Sequence, residues 1–178
     1  MITGHAKRRI RRRGRAGTRT LAALVAAACA APTVQPPATA EALQRVAAAV
    51  RRDAFDRPVA LAPLLADRAV LYFFRTGCEH CAADLAAAPA LAGTRGAPPL
   101  ILISHEDAAR LRAALGPGPQ AGLVVVSDEA GAIMDSALPT RFVPRVVAVE
   151  RGRVRLDRTG SGGGGLRRAV ALLSGGGS

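Results

Sequence analysis

The sequence predicts an α/β domain built on a mixed central sheet with flanking helices, and three observations predict it. VLYFF (70–74) is an unbroken run of β-favouring apolar residues, the pattern of a strand covered on both faces, and LILIS (100–104) and LVVV (123–126) read as second and third strands. Helix-forming segments separate these runs, which implies parallel strands joined by crossovers. Near the end, residues 145–150 and 153–156 are two β-type runs joined by Arg151-Gly152, a hairpin signal, and a helical segment follows them.

Taken in order, residues 41–53 predict a helix, with Leu43, Val46 and Val50 spaced for one face. Residues 57–61 read as a brief extended piece and 62–66 as a turn or single helical turn. After the strand 70–74, Thr76-Gly77 breaks the run and Cys78 opens a helix that occupies 82–92 and ends near Gly93. The strand 100–104 leads to a helix over 106–115, closed by Gly116-Pro117-Gly118-Pro119. Residues 128–137 follow the third strand as a turn and short helix. The glycine-rich loop 160–165 lacks the Lys-Ser/Thr of a phosphate cradle and reads as a linker to a last helix over 166–173.

Composition sets the size of the core and removes one function class. With 178 residues, 49% of them apolar, the chain supports one domain with an extra segment at one end. All five aromatics, Phe55, Tyr72, Phe73, Phe74 and Phe142, lie beyond residue 54, which centres the core on 72–74. A net charge of +12 suggests nucleic acid as a partner, but eight of the 25 basic residues and none of the 13 acids fall in residues 1–40. That leaves 17 basic residues against 13 acidic ones, scattered rather than gathered on one element, so no nucleic-acid partner is expected.

The first forty residues read as an export segment and Pro-rich linker. A basic stretch from Lys7 to Arg19 precedes the apolar run LAALVAAACAA (21–31), and a Pro- and Thr-containing stretch follows it. Eleven residues of helix rise only about 16 Å, half of a bilayer core, so the run is too short to span one. Two processing routes are compatible with the residues: cleavage after Ala38-Thr39-Ala40, or lipoprotein processing at Cys29, preceded by Ala26-Ala27-Ala28. The second would make Cys29 a lipid anchor and residues 30–40 a semi-rigid tether. The expected organisation is thus 1–40 for export and linker, 41–174 for the domain and 175–178 for a flexible tail, in a protein exported to the periplasm or held facing it.

The chemistry lies in Cys78-Glu79-His80-Cys81, directly after a buried strand and at a helix start. Unpaired backbone N–H groups there stabilise a thiolate. His80 stabilises the same charge and Glu79 opposes it. A two-residue spacer closes a disulfide within one helical turn, and exchange needs one exposed nucleophile and one resolving thiol beside it. By position Cys78 is the nucleophile and Cys81 the resolver. A structural zinc site needs four ligands, and the domain offers only His80 and His105 besides these thiols, so neither metal nor cofactor is implied. Val143-Pro144 stands just before a strand, where a proline has no N–H to give and adopts the cis form more readily than other residues.

These segments resemble the TlpA-like branch of the thioredoxin superfamily, near its redoxin and peroxide-reductase-like members. Residues 57–64 resemble that family's N-terminal hairpin, 69–74 its first central strand, Cys78 and Cys81 its redox positions, 127–133 the segment after its third strand, and 151–154 its closing hairpin. The resemblance implies a three-layer thioredoxin-like fold and thiol–disulfide exchange with protein thiols and disulfides. It also implies a membrane or periplasmic redox partner and a monomer. It casts Val143 and Pro144 as the cis-proline segment facing the disulfide, with Val143 supplying backbone hydrogen bonds to substrate. The sequence departs from the family at Gly77, where Trp is usual, and at Glu79-His80, where Pro is frequent. The strand VLYFF lacks the buried carboxylate that helps deprotonate the resolving thiol; Asp84, one turn beyond Cys81, is a substitute, although a residue so placed is more often exposed. Two rival functions remain: a thiol peroxidase using Thr76 and Arg141 or Arg145, and a copper chaperone using the Cys pair with His80.

Overall fold

Thr39 starts the first element: its hydroxyl accepts the Ala42 N–H at 3.1 Å and caps α1 (Ala40–Ala47), which buries Ala42, Leu43 and Val46. The structure, a computed structural model, describes residues 34–116, 118, 120–160 and 164–175. The basic stretch, the apolar run with Cys29, residues 161–163 of the glycine loop and the tail 176–178 lie outside the described residues.

The helix expected over 41–53 is shorter than its pattern. It ends at Ala47, and Val50, assigned to its apolar face, is instead 69% exposed in β1 (Val50–Arg52). The reason is the turn that follows. Asp53 accepts the N–H groups of Phe55 and Arg57 at 2.9 Å each, and the Arg57 guanidinium beside it closes the bend. This Asx-type turn fixes β1 antiparallel to β2 (Pro58–Ala60), so the turn and hairpin pairing override the helix preference of the segment. α2 (Leu61–Leu65) follows at once and buries Leu61 and Leu65.

β3 (Arg68–Phe73) is the middle strand of a five-stranded sheet. After α3 (Glu79–Ala92), β4 (Leu100–Ser104) pairs parallel to it, Val70 opposite Leu100 and Phe73 opposite Ile103. α4 (Ala108–Leu115) begins two residues later than expected because Asp107 is its N-cap, accepting from Arg110 N at 2.8 Å. β5 (Leu123–Ser127) extends the parallel half, and a π-helical segment, Ala132–Ala137, replaces the expected short helix. β6 (Arg145–Glu150) then runs antiparallel on the other side of β3, and β7 (Arg153–Thr159) completes the order β5-β4-β3-β6-β7. Arg151 and Gly152 turn this hairpin with φ of 50° and 72°, as a two-residue turn of type I′ requires. α5 (Gly165–Ser174) packs last.

The sheet is covered on both faces, which gives three layers. Ala69, Leu71 and Phe73 of β3 meet α1, α2 and the π-helical segment. Val70, Tyr72 and Phe74 face α3, α4 and α5. Period-two alternation along one strand thus serves two cores, and Cys81 belongs to the second. The sheet is mixed and flanked by helices, as expected. No helix among the described residues is long and apolar enough to cross a membrane.

Candidate redox site

β3 ends at Phe73, and five residues on Cys78 is the N-cap of α3, with extended backbone (φ −84°, ψ 110°). Cys78 and Cys81 are joined as a disulfide with Cα atoms 5.2 Å apart, and the Cys81 N–H donates to Cys78 O at 2.9 Å. The two sulfurs differ in access: Cys78 is half-buried, whereas Cys81 is wholly buried. Glu79 and His80, between them, are exposed.

The loop before Cys78 is fastened from the turn that follows β4. Glu106 accepts the Thr76 N–H at 2.8 Å, the Thr76 hydroxyl at 2.7 Å and the Ser104 hydroxyl at 3.2 Å, and Arg110 lies 2.9 Å from it. Burial alone would raise its pKa, but the Thr76 and Ser104 hydrogen bonds and the Arg110 charge more than offset that and hold the carboxyl below the usual range.

α3 turns Cys81, Asp84 and Ala88 inward, a spacing of three and four residues along one face. Asp84 is therefore not the exposed residue such a position usually carries: it is 2% exposed. Its Oδ1 accepts the Gly164 N–H at 3.0 Å and its Oδ2 the Leu166 N–H at 3.4 Å, so it caps α5 from a different helix. The end of the glycine loop, read from sequence as a linker, makes this approach feasible. Gly164 has φ of +85°, and a Cβ on Gly165 would lie 3.2 Å from Val146 Cγ2 and 3.6 Å from Asp84 Oδ2. The Tyr72 hydroxyl is buried without a hydrogen-bond partner among the described residues, and burial, then the Asp84 carboxylate, push its pKa up.

Val143 and Pro144 lie on the other side of β3. Because Phe73 pairs with Arg145, the segment that enters β6 stands at the same end of the sheet as the loop leaving β3 for Cys78. The Val143–Pro144 bond is cis; Val143 is half-buried, packs against both cores and follows the 49%-exposed Phe142. Arg145 is wholly buried. Its guanidinium forms a bidentate pair with Asp157 at 2.9 and 2.8 Å and donates to Pro139 O, Thr140 Oγ1 and Pro36 O. Burial would raise the Asp157 pKa, yet Arg145 and the Ala38 N–H lower it overall.

Several solved structures share this fold. A secreted disulfide oxidoreductase of Mycobacterium tuberculosis, homologous to Escherichia coli DsbE, superposes with a TM-score of 0.60 at 18% identity, over 73% of this chain and 98% of that one. The fold is thioredoxin-like. MTB DsbF, in its mixed oxidised and reduced forms, gives a TM-score of 0.59 at 17% identity, over 72% and 97% of the two chains. The pneumococcal exposed lipoprotein thioredoxin Etrx1 of Streptococcus pneumoniae gives 0.56 at 14%, over 71% and 96%. No family model matches the sequence, and no curated protein does.

Within this thioredoxin-like frame, Cys78, Glu79, His80 and Cys81 share the start of α3, and Val143 and Pro144 stand at the same sheet end. Two of the residues considered for a peroxidase are engaged elsewhere: Thr76 donates its hydroxyl to Glu106, and all Arg145 nitrogens bond Asp157 or backbone carbonyls. Among the described residues no group of three or more His, Cys, Asp or Glu is placed to hold a metal ion. Sequence reading undervalued Asp84, although helical spacing from Cys81 carried the signal. It missed the role of residues 35–38, for which no periodic pattern exists.

Proposed function

We propose that this chain is an exported thiol–disulfide oxidoreductase that exchanges disulfides with protein substrates through Cys78 and Cys81. The observation that carries the reading is the asymmetry of the pair: a half-buried Cys78 at a helix N-terminus bonded to a wholly buried Cys81 in the core. In the reducing direction the Cys78 thiolate attacks one sulfur of a substrate disulfide, and the other substrate sulfur leaves as a thiolate. The Cys81 thiolate then attacks Cys78 Sγ, expelling the second substrate thiolate and closing the intramolecular disulfide. Two electrons pass to the substrate, and a dithiol redox partner must restore them. The oxidising direction is the same sequence reversed.

Each group has a task in this cycle. The α3 N-terminus and His80 favour the Cys78 thiolate, and Glu79 tempers it. Asp84 shares the buried face with Cys81 and is the carboxylate suited to take that thiol's proton, since a thiol in apolar surroundings ionises reluctantly. Val143 and Pro144 form the wall against which a substrate backbone lies. The similar structures, a secreted disulfide oxidoreductase and an exposed lipoprotein thioredoxin, support both the chemistry and the export.

A Cys81→Ser variant tests the reading. It is expected to accumulate mixed disulfides through Cys78 that reductant releases, whereas Cys78→Ser accumulates none. Failure of Cys81→Ser to retain any thiol-bearing partner overturns the proposal.

A further inference from the structure

The segment before α1 is fastened to the loop on the proline side of the site, and one side chain does most of the fastening. Gln35 donates from Nε2 to Pro139 O, and its Oε1 accepts both the Arg141 N–H at 2.9 Å and the Phe142 N–H at 3.2 Å. These partners lie more than 100 residues away in sequence. Two further contacts continue the seam: Pro36 O accepts from Arg145 at 2.9 Å, and Ala38 N–H donates to Asp157 at 2.7 Å. A loop without regular structure, between the π-helical segment and β6, thus takes its backbone partners at 141 and 142 from a side-chain amide.

This loop ends in Phe142 and Val143. Phe142, 49% exposed, stands three residues before β6, at the sheet end from which the chain leaves β3 for Cys78, and offers an apolar surface there. Its direction depends on the peptide planes that Gln35 holds. We infer that Gln35 is a positioning residue for substrate: it sets the 141–142 backbone so that Phe142 and the Val143 peptide offer a ready-made edge to an extended polypeptide disulfide with an apolar side chain near its cysteine. The inference rests on the exchange reaction proposed above. Its physical content is preorganisation, since a loop already ordered loses less freedom when a peptide binds. A small disulfide without a backbone gains nothing from that edge.

The experiment compares full-length wild type and Gln35→Ala on two substrates, a disulfide-linked peptide with an apolar residue beside its cysteine and 2-hydroxyethyl disulfide. The variant is expected to raise KM for the peptide about fivefold with kcat changed less than about twofold, so that the preference for peptide over small disulfide falls by a similar factor. Phe142→Ala is expected to act alike, and the double variant to be no worse than about twofold beyond either single one, because both remove the same edge. An equal loss on both substrates with a lowered Tm would make Gln35 a stability residue only and overturn the inference. So would an unchanged peptide KM. If wild type exchanges with neither substrate, the proposed function itself falls and this inference with it.

Discussion

The two sides of the disulfide are built by opposite means. On the helix side, Cys81 sits in an apolar core with one buried carboxylate, Asp84, which accepts only backbone N–H groups in the hydrogen bonds described. On the loop side, Asp157 faces a fully buried guanidinium in a bidentate pair, and the backbone around it is tied by further polar contacts. A carboxylate with a fixed cation is committed to structure. Asp84 instead caps a neighbouring helix. The difference teaches that one wall of the site is tied by a buried charge pair and the other by a helix cap.

The largest break in that comparison comes from Arg145→Met. It strands the Asp157 carboxylate and removes the donor from Pro36, Pro139 and Thr140, so a loss of about 3–5 kcal/mol is expected in urea unfolding. A loss below about 1 kcal/mol would mean that the loop is held by something other than this guanidinium.

Asp84→Asn sharpens the other side. Asparagine keeps an acceptor for Gly164 but cannot take a proton, so the mixed disulfide at Cys78 should persist about 10²-fold longer before Cys81 resolves it. Asp84→Ala should add a stability loss of about 1–2 kcal/mol, since the first N–H groups of α5 lose their partner. Equal lifetimes for wild type and Asp84→Asn in a rapid-quench measurement would remove Asp84 from the chemistry.

The smallest effect is the acid limb of stability. Asp53, Glu106 and Asp157 all have pKa values held below the ordinary range in the folded state. The unfolded chain therefore binds more protons in acid. The stability these groups contribute is complete above the unfolded values of about 3.9 for Asp and about 4.3 for Glu, and is lost as pH falls through the lower folded ones. Replacing Asp157 by Asn should flatten this limb in thermal melts between about pH 5 and pH 2. An unaltered slope would show that Arg145 does not bias Asp157 ionisation.

What the sequence revealed follows from which forces leave a periodic trace. The central strands were legible because VLYFF, LILI and LVVV are short apolar runs rich in β-favouring residues, as a sheet covered on both faces asks for. The redox pair was legible because its spacing and its place between a strand and a helix are local facts. β1 was not, since Val50-Arg51-Arg52 continues a helical pattern and becomes a strand only through the Asp53 turn and pairing with β2. Asp84 was obscured by an alanine-rich helix in which nearly any face could be the buried one. Arg145 looked like one more arginine in an arginine-rich chain, and its burial depends on Asp157, twelve residues away across a hairpin.

The Thr39 cap and the seam before it bear on where a leader could be cut from this chain. A signal peptidase acting at the small-residue motif after Ala40 would remove the hydroxyl that starts α1, the amide that braces the proline loop and a carbonyl that Arg145 relies on. The freed end would begin inside the first helical turn, with the guanidinium short of an acceptor in a dry interior. If the chain carries a leader, a cut upstream of Gln35 would keep these contacts, and residues 35–39 would stay with the domain.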